Sequence, residues 1–190
     1  QIIESALLQR LDKRLEDANA ILVSDYQNGL LTSTLIRLLK QVTNNQVPLI
    51  VDTQGALDKY VGFDIIKCNA NDASEFLGVD LKTDEDFASA SHELRQRLEV
   101  KTGIFITRGA DGVTLASQEE IVHISSPDVS DVYDTVGAGD TWIAVVSLAF
   151  LAGATLRESA TLANYASGIV VRHVGNYTPS PDELLEVLPD

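Results

Sequence analysis

Short apolar segments alternate with amphipathic helical segments along this chain, and the alternation limits its fold more than any other feature. Strands are predicted at residues 20–24, 48–51, 64–67, 103–107, 112–116 and 120–124. Helices are predicted at residues 2–18, 32–44, 83–100, 137–151, 156–172 and 181–188. Such alternation is typical of a mostly parallel sheet flanked by helices on both faces. The sequence therefore predicts an α/β fold, built as a single domain over residues 1–190.

The first three predicted strands lead into polar residues. Asp25 and Asp52 follow the first two strands, and Asn69 comes shortly after the third. The carboxyl ends of parallel strands lie at one edge of a sheet, where open α/β sheets bind their ligands. We therefore expect a candidate site at this edge.

The composition argues against several classes of partner. The 14 Lys and Arg residues against 28 Asp and Glu give a net charge of −14, so we expect neither nucleic acid nor a membrane as a partner. The longest apolar stretch covers about half of the roughly 20 residues that a membrane span needs. Cys68 is the single cysteine, which fits a cytoplasmic location. The absence of methionine predicts that the chain is a fragment or a processed piece.

The clearest chemical signal is the segment at residues 134–140, Asp-Thr-Val-Gly-Ala-Gly-Asp, just before an apolar helix. Gly137 and Gly139 allow the backbone to approach a ligand closely. The first turn of the helix offers free N–H groups and a partial positive charge, which together form an anion site. Asp140 lies in this turn, and helix capping alone would explain it. Capping leaves the two glycines and Asp134 unexplained.

This heptapeptide resembles the motif of the ribokinase-like (PfkB) carbohydrate kinases, and the resemblance extends over nearly the whole chain. The segments at 24–29 and 162–164 are most similar to the heptose 7-phosphate kinase branch. The resemblance implies a ribokinase-like fold of which this chain is the C-terminal two-thirds, without the N-terminal part and its β lid. That lid pairs subunits in many members, which leaves a homodimer open for the full-length chain.

The resemblance also implies ATP-dependent phosphorylation of a hydroxyl group on a small-molecule sugar or sugar phosphate. Asp140 would be the general base, and the N–H groups of Gly137, Ala138 and Gly139 would form an anion hole. Asn69 and the residue at position 72 would organise Mg²⁺ and phosphate. Asp72 stands where the family has Glu, and Asn69 could instead cap a short helix.

Further nucleotide contacts follow from the same resemblance. Thr107, Gly109 and Gly112 would lie near the nucleotide phosphates, although a hairpin turn explains these residues equally well. Asn164 would line the adenine pocket, or else bond to a neighbouring element. Asp134 would lie near a site for a monovalent cation such as K⁺.

Departures from the heptose kinase pattern leave the acceptor open. Asn28 stands where that branch has Lys, and Gln54 replaces the Lys of an Asp-Pro-Lys-Gly segment. These departures favour an unphosphorylated sugar. A nucleoside or a vitamin alcohol also stays open as the acceptor, because the resemblance places most acceptor contacts in the absent N-terminal part. The same residues would also suit a non-catalytic nucleotide- or sugar-binding module of this fold, or one half of a bifunctional enzyme.

Overall fold

Six strands form one sheet in a computed structural model that describes residues 15, 17–44, 46–129 and 131–189. The strands lie in chain order and are β1 (Ile21–Asp25), β2 (Leu49–Thr53), β3 (Ile65–Asn69), β4 (Gly103–Thr107), β5 (Val113–Ser117) and β6 (Ile121–Ile124). The first four strands are parallel, and β5 and β6 are antiparallel to their neighbours. The predicted mostly parallel sheet is confirmed.

The α-helices also follow the prediction closely. They are α1 (Ser33–Thr43), α2 (Ala70–Leu77), α3 (Asp84–Arg97), α4 (Ala138–Leu151), α5 (Leu156–Val170) and α6 (Pro181–Val187). Short 3₁₀ helices cover Leu57–Tyr60 and Gly109–Asp111, the second within the predicted turn between β4 and β5. The helix predicted at 2–18 lies mostly outside the described residues. None of the helices in the described segments is long and apolar enough to cross a membrane.

Most of the α-helices begin with a side-chain cap. The capping side chains of α1, α2, α3, α5 and α6, each of which accepts a hydrogen bond from a backbone N–H of the first turn, are Thr32, Asn69, Thr83, Thr155 and Ser180. Helix α4 differs, because Gly137 precedes it at φ 79° and no side chain caps it. A side-chain cap satisfies one of the N–H groups that a helix start leaves without a partner. The start of α4 lacks that compensation.

Two apolar cores lie on opposite faces of the sheet. Val51 and Ile66 contribute to the core shared with α1 and α3, whereas Ile50 and Ile65 contribute to the core shared with α4 and α5. In the second core, Trp142 of α4 packs edge-to-face on Phe105 at a ring-centroid distance of 5.0 Å. The sheet is therefore the middle layer of three, as the sequence predicts.

Strand register decides which polar residues face α4. Asp52 pairs with Ser24 on one side and with Lys67 on the other. Since side chains alternate along a strand, Asp52 and Lys67 share the face of Ile50 and Ile65, two residues earlier in each strand. Asp25 pairs with Thr53 instead and lies on the opposite face. The carboxyl edge thus presents Asp52 and Lys67 to the start of α4.

Candidate active site

The first turn of α4 has backbone N–H groups available for a ligand. The N–H groups of Gly139 and Asp140 make no hydrogen bond within the described residues. The Ala138 N–H, one of the predicted anion-hole donors, is instead directed at the Thr135 carbonyl at 3.3 Å. Because free N–H groups at a helix start attract anions, this turn can bind a phosphate-sized group.

A buried ion pair lies directly against this turn. Lys67 Nζ donates to both carboxylate oxygens of Asp52 at 2.8 Å. A methyl group added at Gly139 would lie 3.1 Å from Lys67 Nζ, so the glycine allows the ammonium to come close to the helix start. Lys67 was not singled out from sequence, although a lone charge inside the apolar run Ile65-Ile66-Lys67-Cys68 was an available signal.

Carboxylates outnumber the ammonium groups here, and this imbalance affects Asp52. Burial raises the pKa of Asp52, Lys67 opposes the rise, and the charges of Asp140 and Asp72 add to it. The local potential therefore depends strongly on Lys67. An anionic ligand that approaches the turn would meet the Lys67 ammonium and two free N–H groups beside these carboxylates.

Asp140 has one hydrogen-bonded oxygen and one free oxygen. The Tyr26 hydroxyl donates to Asp140 Oδ1 across 114 residues of sequence. This hydrogen bond is the largest cause of a raised pKa at Tyr26. Oδ2 of Asp140 makes no hydrogen bond within the described residues. Tyr26 was not given a role from sequence, although it lies in the segment at 24–29 that resembles the heptose 7-phosphate kinase branch.

Asn69 and Asp72 form a capping box at the start of α2. The Asn69 side chain accepts from the Asp72 N–H at 2.9 Å, and Asp72 Oδ2 accepts from the Asn69 N–H at 3.5 Å. This geometry matches the capping alternative. The Asp72 carboxylate also lies beside Gly55, and burial raises its pKa. Asp72 thus remains an oxygen donor next to the Lys67 and Asp52 pair, and its binding of Mg²⁺ remains a prediction.

Thr107 and Gly109 lie at the same edge of the sheet. Thr107 is the register partner of Asn69, and its hydroxyl donates to the Cys68 carbonyl at 3.3 Å. Gly109 adopts φ 63°, and nothing lies within 4 Å of the position that a Cβ would take. The edge therefore leaves open space next to Gly109, where a nucleotide contact is still a prediction.

Gly112 and Asn164 both lie against other parts of the protein. A Cβ at Gly112 would lie 2.2 Å from the Ile124 carbonyl oxygen, so the protein's own backbone fills that side. Asn164 Oδ1 accepts from Trp142 Nε1 at 2.7 Å, and its Nδ2 donates to the carbonyls of Ile124 and Ser125 at 3.1 Å. The Asn164 side chain thus bonds to neighbouring elements, the alternative to the nucleotide contact expected for it.

Asp134 joins two loops near the start of α4. Its Oδ1 accepts from the Val136 N–H at 3.0 Å, and its Oδ2 accepts from the Gly175 N–H at 2.9 Å. The Gly175 contact is the largest cause of a lowered pKa at Asp134. Within the described residues, no group of three or more His, Cys, Asp or Glu side chains could hold a metal ion. The cation expected near Asp134 remains a prediction.

The open sheet, with free N–H groups at a helix start on its carboxyl edge, has the architecture of the α/β proteins whose ligands bind at this edge. Comparison with known families identifies the particular family. The chain belongs to the family described as pfkB family carbohydrate kinase, whose profile matches residues 3–183. The expected family and fold class are confirmed.

The curated relatives include several named bifunctional protein HldE. The protein from a Nitratiruptor species is 33% identical over 186 residues, which cover 97% of this chain and 39% of that protein. The protein from Hyphomonas neptunium is 36% identical over 187 residues, which cover 97% of this chain and 38% of that protein. The chain therefore spans about two fifths of the length of these relatives.

Solved structures support the same fold. Ribokinase of Arabidopsis thaliana, in complex with ribose and ATP, superposes with a TM-score of 0.81 at 24% identity, covering 93% of this chain and 58% of that one. Phosphofructokinase-2 of Escherichia coli, in complex with substrates and products, gives a TM-score of 0.81 at 20% identity, covering 94% and 60%. At these identities the likeness establishes the ribokinase-like fold alone.

Proposed function

We propose that this chain carries the phosphoryl-transfer site of an ATP-dependent kinase that phosphorylates a hydroxyl group of a sugar or sugar phosphate. The observation that carries this proposal is the arrangement around the start of α4. The Asp140 carboxylate, the free N–H groups of Gly139 and Asp140, and the Lys67 ammonium all belong to this one corner of the sheet edge. Family membership supports the same chemistry.

Each group in this corner has a task that suits phosphoryl transfer. Asp140 Oδ2 accepts the proton of the acceptor hydroxyl, because Oδ1 is already hydrogen-bonded to Tyr26. The N–H groups of the α4 turn stabilise negative charge on the transferred group, and Lys67 adds a positive charge beside them. Asp52 holds the Lys67 ammonium in place through both of its carboxylate oxygens.

The site offers a small number of oxygen donors that could bind metal ions. Mg²⁺ is commonly bound through one or two carboxylates together with substrate phosphates, and when bound it neutralises phosphate charge. Asp72 would hold it, with Asn69 next to it. Asp134 would lie near the monovalent cation, K⁺ being the candidate. Thr107 and Gly109 would contact the nucleotide, and a contact from Gly112 remains a prediction. We propose none for Asn164, whose side-chain amide is bonded to Trp142, Ile124 and Ser125.

The acceptor is proposed as a class. The structural relatives include ribokinase with ribose and phosphofructokinase-2 with fructose-6-phosphate, so both free and phosphorylated sugars belong in the test. Asn28 does not supply the positive charge expected for a heptose phosphate, and its side chain instead accepts from the Leu30 N–H at 3.2 Å. A free sugar is therefore as good a candidate as a sugar phosphate.

We also propose a cytoplasmic location, where the buried Cys68 stays reduced.

The test is acceptor-dependent ADP release by the natural-length protein, run with free sugars, sugar phosphates and nucleosides. We expect turnover with one acceptor class, and a loss of about 10²- to 10⁴-fold in Asp140→Asn. MgATP affinity should stay within a few-fold in that variant. Asp80→Asn, which changes an exposed carboxylate paired with Lys82, is the matched control and should keep full activity.

Two outcomes would contradict the proposal. Normal turnover by Asp140→Asn would show that Asp140 is not the general base. Intact MgATP binding without turnover on any acceptor would favour a non-catalytic binding module of the same fold.

A further inference from the structure

We propose that Tyr26 is a positioning residue for the general base, holding Asp140 Oδ1 so that Oδ2 is the oxygen presented to the acceptor. This inference rests on the proposed function. Its basis is the hydrogen bond from the Tyr26 hydroxyl to Asp140 Oδ1, which joins the end of β1 to the first turn of α4. A carboxylate that is held through one oxygen cannot rotate freely, so the direction of the second oxygen is fixed.

The backbone on both sides of Tyr26 is fixed by a buried network. Asp25, only 2% exposed, accepts hydrogen bonds from Lys59 Nζ, from the Tyr60 hydroxyl and from the backbone N–H of Gln27. The Gln27 side-chain amide adds a further bond to Asp25 Oδ2 at 3.0 Å. These contacts anchor the residues directly before and after Tyr26 to the 3₁₀ helix at Leu57–Tyr60.

Gln27 also adopts an unusual backbone conformation. Its φ is 55°, a left-handed value that residues other than glycine seldom adopt. Its bonds to Asp25 hold this conformation, which turns the chain sharply after Tyr26. From this loop the Tyr26 hydroxyl reaches Asp140 in α4, although 51% of the residue is exposed.

The position of Tyr26 matters because the rest of the corner does not hold Asp140. The Lys67 ammonium is bound to Asp52, and the N–H groups of Gly139 and Asp140 make no hydrogen bond within the described residues. Tyr26 is thus the one side chain with a hydrogen bond to Asp140 among the described residues. Without it, the carboxylate would sample several rotamers, and misplacement of a reacting group by about 1 Å costs up to ~100-fold in rate.

The experiment compares Tyr26→Phe with Tyr165→Phe in the natural-length protein. Tyr165 lies on α5 outside the candidate site. The Tyr165→Phe variant therefore also loses one tyrosine hydroxyl and serves as the matched control. For Tyr26→Phe we expect kcat to fall about 10- to 100-fold, while KM for MgATP and for the acceptor stay within about twofold. We also expect more ATP hydrolysed per acceptor phosphorylated, because the loosened carboxylate no longer favours the acceptor over water. The urea midpoint of Tyr26→Phe should match that of Tyr165→Phe.

The possible results separate this inference from the proposed function. Unchanged kcat in Tyr26→Phe, with Asp140→Asn inactive, would overturn the positioning role and leave the base assignment intact. A lower acceptor KM or a higher kcat in Tyr26→Phe would mean that Tyr26 obstructs the base, which also overturns it. Activity in Asp140→Asn would instead count against the proposed function.

Discussion

The Lys67 ammonium lies 2.8 Å from both carboxylate oxygens of Asp52, and only 10% and 12% of the two side chains are exposed. The pair joins β2 to β3 at the carboxyl edge of the sheet and packs against the glycine in the first turn of α4. The ion pair balances a buried charge. Under the proposed function it also supplies a cation to the phosphate site, and mutation can separate these two roles.

Removing the ammonium tests both purposes. Lys67→Met leaves the buried Asp52 carboxylate without a partner, so we expect the free energy of unfolding to fall by about 3 kcal/mol. The double variant Lys67→Met/Asp52→Asn removes both charges and should recover most of that loss. Turnover should stay low in both variants, because neither supplies a cation to the transferred phosphoryl group. Urea unfolding measures the effect on stability, and ADP release measures the effect on turnover. Recovery of turnover in the double variant would show that the ion pair has only a structural role.

Gly139→Ala tests the close approach of this ammonium to α4. The added methyl group would lie 3.1 Å from Lys67 Nζ, at the free N–H groups of the turn. We expect the free energy of unfolding to change by less than about 1 kcal/mol, because alanine favours a helix and the Lys67 end can shift. We expect turnover to fall about tenfold or more, because the methyl group displaces the phosphate-binding atoms.

A second glycine in a helix provides the control for Gly139→Ala. A Cβ at Gly168 in α5 would lie 3.1 Å from Pro127, which is the same degree of crowding outside the candidate site. Gly168→Ala should therefore keep its turnover. Equal loss of turnover in the two alanine variants would show that crowding, and not the phosphate site, explains the effect.

Much of the fold could be predicted because its signals are local. Strand and helix segments follow from apolar periodicity, and the caps at Thr83 and Ser180 lie where their side chains can reach the next N–H groups. The unusual start of α4 could also be predicted, because two glycines precede Asp140 in the sequence. Such features depend on residues that are close in sequence, and those residues stay close in the folded chain.

The contacts within the site could not be predicted in the same way. Tyr26 meets Asp140 across 114 residues, and no local sequence pattern predicts that these two side chains touch. The pairing of Lys67 with Asp52 needs the register between β2 and β3, which a one-residue shift would destroy. Asn164 shows the opposite difficulty, because a resemblance suggested a ligand contact where the structure has a buried amide bonded to its neighbours.

Asn164→Ala tests the structural role of this amide against nucleotide binding. The substitution removes the acceptor for Trp142 Nε1 and the donor for the Ile124 and Ser125 carbonyls. Because these buried groups would lose their partners, we expect the free energy of unfolding to fall by about 2–4 kcal/mol. MgATP affinity, measured by calorimetry below the unfolding transition, should change less than about threefold. A large loss of MgATP affinity with normal stability would show that Asn164 contacts the nucleotide.

We expect Asp25 to make the free energy of unfolding vary with pH in the acidic range. Burial alone would raise the pKa of Asp25, but hydrogen bonds from Lys59, Tyr60 and Gln27 outweigh burial and hold that pKa below its ordinary value. Ionised Asp25 therefore stabilises the fold above the unfolded carboxyl pKa of about 4, and this contribution is lost as the pH falls through the lower folded pKa.

Asp25→Asn removes the charge that the network binds. At neutral pH we expect its free energy of unfolding to be about 2–3 kcal/mol below wild type, because the Lys59 ammonium loses its anionic partner. The gap should narrow as the pH falls below about 4, where Asp25 binds a proton in the unfolded chain but not yet in the folded protein, and it should be smallest below the lower folded pKa. Urea unfolding at a series of pH values measures this gap. Asp58→Asn, an exposed carboxylate on the same 3₁₀ helix as Lys59 and Tyr60, should stay parallel to wild type throughout. A gap for Asp25→Asn that stays constant down to acidic pH would mean that shape, and not charge, accounts for the loss.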